Sequence, residues 1–213
     1  MWAPVIVELR ARGVAARAAD LPTARRSDAT LADDAAHIRE LTSGEGSTIL
    51  CGHSWGGTAI TEAGAGVEGL VHLIYLAAFM PDRGETTADW GGKRMMEPPL
   101  PIDFRDDGTM KTAPWTVDES DPRYDAAVLE RIAAWPPPRP FVVSAALTPL
   151  RDAAWRDVPS TYVVTLRDSA LHPETQREMA TRASRVMQMD CDHDIMAVFP
   201  HEIAELLASV ATS

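Results

Sequence analysis

Long apolar runs, basic residues and cysteines are all scarce in this chain, and each scarcity removes a class of function. The most apolar stretch, LVHLIYLAAFM, is too short to cross a bilayer and reads as a buried strand. Only 20 Lys and Arg face 31 Asp and Glu, leaving a formal net charge of −11. That balance argues against a nucleic-acid partner, because phosphate binding draws on Lys and Arg patches, and against an anionic membrane surface. Two cysteines, Cys51 and Cys191, make no disulfide framework, and Cys51 within an apolar run reads as a small hydrophobe. The opening MWAPVIVELRARG lacks the basic start, long apolar stretch and small-residue cleavage site of a secretory signal. A reduced, cytoplasmic protein is expected. Neither a G-x-G-x-x-G nor a Walker-type loop occurs, so no cofactor is expected.

What is present is an alternation of helix and strand patterns over 213 residues, a length suited to one large core. Residues 3–12 read as a helix with Val5, Leu9 and Ile6 on one face, stopped by Gly13. VAARAADLP is expected to form a short strand ending at Pro22. Asp28 and Thr30 are N-cap candidates for a helix through LADDAAHIREL, where Leu31, Ala35, Ile38 and Leu41 recur at helical spacing. STILC is a strand, GGTAITEAGAG a helix of small residues, and LVHLIYLAAF a strand apolar on both faces. This succession predicts an α/β fold with a mostly parallel, doubly wound sheet joined by right-handed crossovers. The rhythm stops at Pro81 and resumes with STYVVTL, PETQREMATRA, RVMQM and PHEIAELLASVA. Between them, residues 81–140 hold most of the prolines and little periodicity outside YDAAVLERIAAW. Trp90, Trp115, Trp135, Phe104 and a methionine pair are a poor composition for disorder. The expected organisation is a core of residues 1–80 and 141–213 with a cap inserted at 81–140.

Within TILCGHSWGG, the pattern G-x-S-x-G places Ser54 between Gly52 and Gly56, behind a strand and ahead of a helix. Such an elbow holds a serine on a sharp turn, with the helix N-terminus aimed where negative charge develops. A serine hydroxyl needs a base to take its proton. His53 lies inside the elbow, His37 and His201 in predicted helices, His72 in a strand and His172 in a loop. His193 follows the last predicted strand, so a parallel sheet brings it to the same rim as Ser54. Asp168 follows STYVVTL on that rim and is the expected carboxylate partner of the imidazole, with Asp82 as the alternative. Asp190, Asp192, His193 and Asp194 in DCDHD invite a metal reading. Ligands this closely spaced close a site poorly, and no second His or Cys pair at zinc spacing accompanies them. No metal is expected.

Six ordered segments, among them CGHSWGG, LIYLAAFMPDRGE and DHDIMAVFPHEIAELL, resemble the α/β-hydrolase superfamily. Within it the likeness is to the plant-type methylesterase and hydroxynitrile lyase group with its bacterial relatives. The resemblance implies Ser54 as nucleophile, His193 as general base, Asp168 as acid, and a cap shaping an apolar pocket for a small ester or acyl substrate. Lyase members carry a lysine directly after the histidine; here that position is Asp194, so hydrolysis is expected over cyanohydrin cleavage. Relatives also begin with a strand and a His-Gly-type loop that supplies half of the oxyanion hole. The present sequence starts at the helix after that loop, which leaves the amide of Trp55 as the expected donor. A catalytically impaired binding protein of the same fold is the alternative this departure raises.

Overall fold

The computed structural model describes residues 1–94, 96–112 and 120–211; Met95 and Trp115 lie outside the described residues. Its first helix, α1 (Ala3–Ala11), buries Val5 and Leu9, and Gly13 turns the chain at φ 73°. Of the two N-cap candidates, Thr30 caps α2 (Leu31–Thr42). Its hydroxyl accepts from the Asp33 N–H while the Asp33 carboxylate takes the Thr30 N–H, a closed capping box. Four strands follow the predicted apolar runs: β1 (Thr48–His53), β2 (Leu70–Leu76), β6 (Ser160–Thr165) and β7 (Arg185–Met189). They form one parallel sheet in the order β1-β2-β6-β7.

Two cores follow from strand periodicity. Leu73 and Tyr75 of β2, with Tyr162 and Val164 of β6, pack on one face against α2 and α3 (Trp55–Gly64). Ile74 and Leu76, with Val163, pack on the other against α1 and α9 (Pro200–Ala211). Side chains alternating along a strand leave opposite faces, so a strand covered by helices on both sides must be apolar throughout. Because all four strands run the same way, the segments after β1, β6 and β7 emerge on one rim. Ser54, Asp168 and His193 lie in those three segments.

The described residues of 81–140 hold more regular structure than their periodicity suggests. They contain α4 (Thr87–Gly91), the hairpin strands β3 (Ile102–Phe104) and β4 (Thr109–Thr112), and α5 (Ala126–Ala133). β4 also pairs antiparallel with β5 (Phe141–Val142), which leads into the short α6 (Val143–Ala146). The hairpin escapes a periodicity reading because its strands are three and four residues long and β3 is exposed on both faces. The remaining helices are α7 (Pro173–Ala180) and α8 (Ile195–Val198). Among the described residues no helix is long and apolar enough to cross a membrane.

The strand expected at VAARAADLP does not form. Residues 15–20 make no backbone–backbone hydrogen bond among the described residues, and Pro22–Ala24 is a single 3₁₀ turn. A strand exists only through a ladder partner. Among the described residues β1 pairs with β2 alone, and residues 14–19 and β1 border one cavity of about 1010 Å³ instead of meeting.

The elbow glycines are unequal. A Cβ on Gly52 would stand 2.5 Å from the Gly56 carbonyl carbon, and one on Gly57 would stand 2.2 Å from the Phe79 carbonyl oxygen. A Cβ on Gly56 meets nothing within 4 Å. Gly57→Ala is therefore expected to destabilise the protein by about 1–3 kcal/mol, as overpacked sites do. Gly56→Ala, within α3, should be neutral or stabilising by up to about 1 kcal/mol because alanine is the better helix former. Urea unfolding of both variants checks this; a Gly56→Ala midpoint falling as far as that of Gly57→Ala would contradict it.

Candidate active site

Ser54 joins β1 to α3 with φ 54° and ψ −123°, a conformation that L-residues rarely adopt. Neighbouring backbone holds it there. The Ser54 carbonyl accepts from the N–H groups of Gly57 and Phe79, each at 3.1 Å, and its own N–H reaches the Leu76 carbonyl at 3.4 Å. The strain is thus maintained by the β1–β2 junction, and the adjoining Trp55 N–H opens α3 at its positive end.

Asp168 and His193 meet, with Asp168 Oδ2 2.7 Å from His193 Nδ1. Asp168 also accepts on Oδ2 from the Thr165 hydroxyl and the Gln176 side-chain amide, both at 2.7 Å. Its Oδ1 takes the N–H groups of Ala170 and Leu171 at 2.8 and 2.7 Å. One oxygen closes the turn into α7 and the other orients the imidazole. Because His193 Nδ1 donates to a carboxylate, Nε2 is the nitrogen that carries the ring's lone pair. Burial alone would raise the Asp168 pKa; the His193 ring and the donated hydrogen bonds outweigh it and hold the carboxyl below its ordinary value. Burial likewise works to lower the His193 pKa, but Asp168 beside it, with Asp194 and Asp192 beyond, holds it above the ordinary imidazole value.

Asp192 and His53 hold the histidine loop, and Asp34 holds Trp55; none of these roles was read from the sequence. Asp192 accepts the His193 N–H at 2.6 Å and the Ser169 N–H at 2.8 Å, tying the histidine loop to the aspartate loop. His53 donates from Nε2 to the His193 carbonyl at 3.0 Å, with the two ring centroids 4.4 Å apart. Burial and the neighbouring His193 push the His53 pKa down to about 3, so its ring is neutral. Asp34 of α2, fully buried, accepts from the Trp55 indole N–H at 2.9 Å and from the Thr23 N–H and hydroxyl at 2.9 and 2.6 Å. Gln176 and Asp34 sit inside ordinary helical patterns, where nothing in one dimension marks a buried polar contact. Asp192 carried a visible signal, its place in DCDHD, but not one that distinguishes a strap from a ligand.

The other candidates lie elsewhere. His72 bonds Thr161, His172 accepts from the Glu174 N–H at the start of α7, His201 pairs with Glu8, and His37 stays within α2. Asp82 is held by the Arg156 guanidinium. Asp190 pairs with Arg167 and Arg123. Of the histidines, His53 and His193 line the large cavity, together with Ser54, Trp55 and Asp194. Leu100, Ile132 and Trp135 reach it from residues 81–140.

A strained serine after a parallel strand, with an Asp–His pair on the neighbouring loops, defines the α/β-hydrolase class. Residues 1–206 match the alpha/beta hydrolase family, and the chain belongs to it; it is an α/β-fold hydrolase. It is similar to a probable hydrolase of Phoma sp., at 27% identity over 237 residues covering 99% of this chain and 92% of that protein. Among solved structures it is similar to a pyrethroid hydrolase from Sphingobium faniae, with a TM-score of 0.77 and 22% identity over 100% of this chain and 92% of that one. Polyneuridine aldehyde esterase aligns with a TM-score of 0.74 and 16% identity over 99% and 93% of the two chains.

The two cavity histidines should titrate far apart. Histidine NMR is expected to place the His193 midpoint above the ordinary 6.5 and to find His53 neutral through the whole physiological range. A His53 midpoint near 6.5 would show that its ring is not the neutral donor described.

Proposed function

We propose that this protein cleaves a carboxylic ester or similar acyl bond of a small, largely apolar molecule through Ser54, His193 and Asp168. The observation that carries the reading is the 2.7 Å Asp168–His193 contact on the rim where the strained Ser54 lines the same cavity. In this reading Ser54 Oγ attacks the substrate carbonyl carbon as His193 Nε2 takes its proton. The Trp55 N–H and the positive end of α3 stabilise the resulting oxyanion. Collapse of the intermediate passes the proton from His193 to the departing alcohol oxygen. Water then attacks the acyl-serine with His193 again as base, releasing the acid. Asp168 keeps the imidazole in the Nδ1–H tautomer and stabilises its cation.

The insertion at 81–140 acts as the cap, and its contributions to the cavity wall, Leu100, Ile132 and Trp135, are suited to an apolar substrate. The names of the relatives, hydrolase and esterase, support ester cleavage and give the binding-protein alternative no support. A reduced cytoplasmic setting fits the two free thiols, Cys51 and Cys191.

A fluorophosphonate probe should label the wild-type protein and leave Ser54→Ala unlabelled; equal labelling of both would remove the reading. With a p-nitrophenyl ester, kcat/KM should rise with pH through a midpoint above 6.5, because the base acts only when neutral and its pKa is raised. Asp168→Asn should move that midpoint downward and lower kcat by about 10³–10⁴.

A further inference from the structure

Asp194 is the one carboxylate of the DCDHD tract that the preceding account leaves unused. It is 3% exposed, and its Oδ2 is buried with no hydrogen-bond partner among the described residues. It stands at the N-cap of α8, where an aspartate ordinarily accepts a helix N–H, yet its side chain makes no cap bond. It lines the same cavity as Ser54 and His193. A buried carboxyl oxygen without a donor is a costly arrangement, and it persists where something else supplies the donor.

We propose that Asp194 determines specificity by accepting a hydrogen bond from a hydroxyl group on the alcohol portion of the ester, close to the scissile oxygen. This rests on the hydrolase reading above. The leaving-group side follows from connectivity: His193 delivers its proton to the departing alcohol oxygen, and Asp194 is the next residue along the rim. The choice of a hydroxyl follows from the surroundings. Tyr124, which feels the Asp192 and Asp194 charges, is not among the residues that line the cavity, and its hydroxyl makes no hydrogen bond to Oδ2. A hydroxyl both donates and accepts, so it serves the carboxyl in either protonation state. Burial, reinforced by Asp192 and Asp168 and opposed by His193, raises the Asp194 pKa to about 7. Both protonation states therefore occur near neutrality. A hydroxyl can bond either one, whereas an ammonium suits only the anion and a carboxylate only the acid. An ester with a purely hydrocarbon alcohol leaves Oδ2 unsatisfied in every complex.

The test uses an isosteric pair, 2-hydroxyethyl hexanoate and propyl hexanoate. Their dissociation constants are measured by calorimetry on the full-length Ser54→Ala protein, so that binding is read without turnover. The hydroxyl ester should bind about tenfold tighter or more, and the preference should fall to about unity in Ser54→Ala/Asp194→Leu. The nearly isosteric Asp194→Asn, which keeps an acceptor oxygen, should retain an intermediate preference; it also carries the test if the leucine variant does not fold. Equal affinities in the Ser54→Ala protein, or a preference that survives in both Asp194 variants, would overturn the proposal. Continued hydrolysis by Ser54→Ala would instead remove the serine mechanism, and the affinity ratio would still report on Asp194.

Discussion

The carboxylate of Asp168 is the constraint around which the rim is organised. It is 2% exposed and accepts five hydrogen bonds, from two backbone amides, a hydroxyl, a side-chain amide and the imidazole. A charge so deeply buried is tolerable only when paired and fully solvated by protein donors. Four of the donors belong to residues 165–176, so the turn holds the carboxylate without help from the histidine. The imidazole meets a carboxylate whose orientation its own turn sets. The loop of His193 is held from two further directions, through Asp192 and through the half-buried ring of His53. Preorganisation of this kind lowers the reorganisation needed when charge appears on the ring.

The parallel sheet explains why much of this was legible in one dimension. Ser54, Asp168 and His193 each follow an apolar run, and in a parallel sheet the ends of such runs converge whatever their separation along the chain. The helices of the core were equally readable, since α1 and α2 bury the faces that periodicity marks. The failures have a different cause. VAARAADLP has the composition of a short strand, but strandhood depends on a neighbour, which composition does not encode. Gly56 stands in the elbow pattern, yet it is Gly57 that lies against Phe79, because close approach is set by the following strand's path. Gln176, His53 and Asp34 act through contacts with residues 8 to 140 positions away, which no local pattern announces.

The tract Asp190–Asp194 shows how placement divides identical side chains. Asp190 points outward to Arg167 and Arg123 and is half-exposed. Asp192 turns toward the loop of Asp168 and binds Ser169. Asp194 turns inward, where burial raises its pKa toward neutrality. Asp194 and Asp192 add negative potential near His193 and contribute to raising its pKa. Among the described residues no three His, Cys, Asp or Glu side chains converge as a group that could hold a metal ion. The acidic tract supplies a surface ion pair, a strap and an interior acid in succession, and a chain stretch of alternating direction is what lets consecutive carboxylates do so.

Cavity volume must be read with the same attention to direction. About 1010 Å³ stands at the upper end of what small-molecule sites occupy. Yet its walls are of two kinds. At the rim they are Ser54, Trp55, His193 and Asp194, with Leu100, Ile132 and Trp135 from residues 81–140. Farther down they are residues 14–19, apolar side chains such as Val5, Leu9 and Ile38, and β1, which among the described residues is bonded on one side only. Such an edge presents backbone N–H and C=O groups beside that apolar lining. The proposed selectivity rests on the rim side chains, above all on the contrast between the apolar Leu100, Ile132 and Trp135 and the carboxyl of Asp194. Unlike the fully bonded carboxylate of Asp168, that carboxyl keeps an oxygen without a hydrogen-bond partner among the described residues.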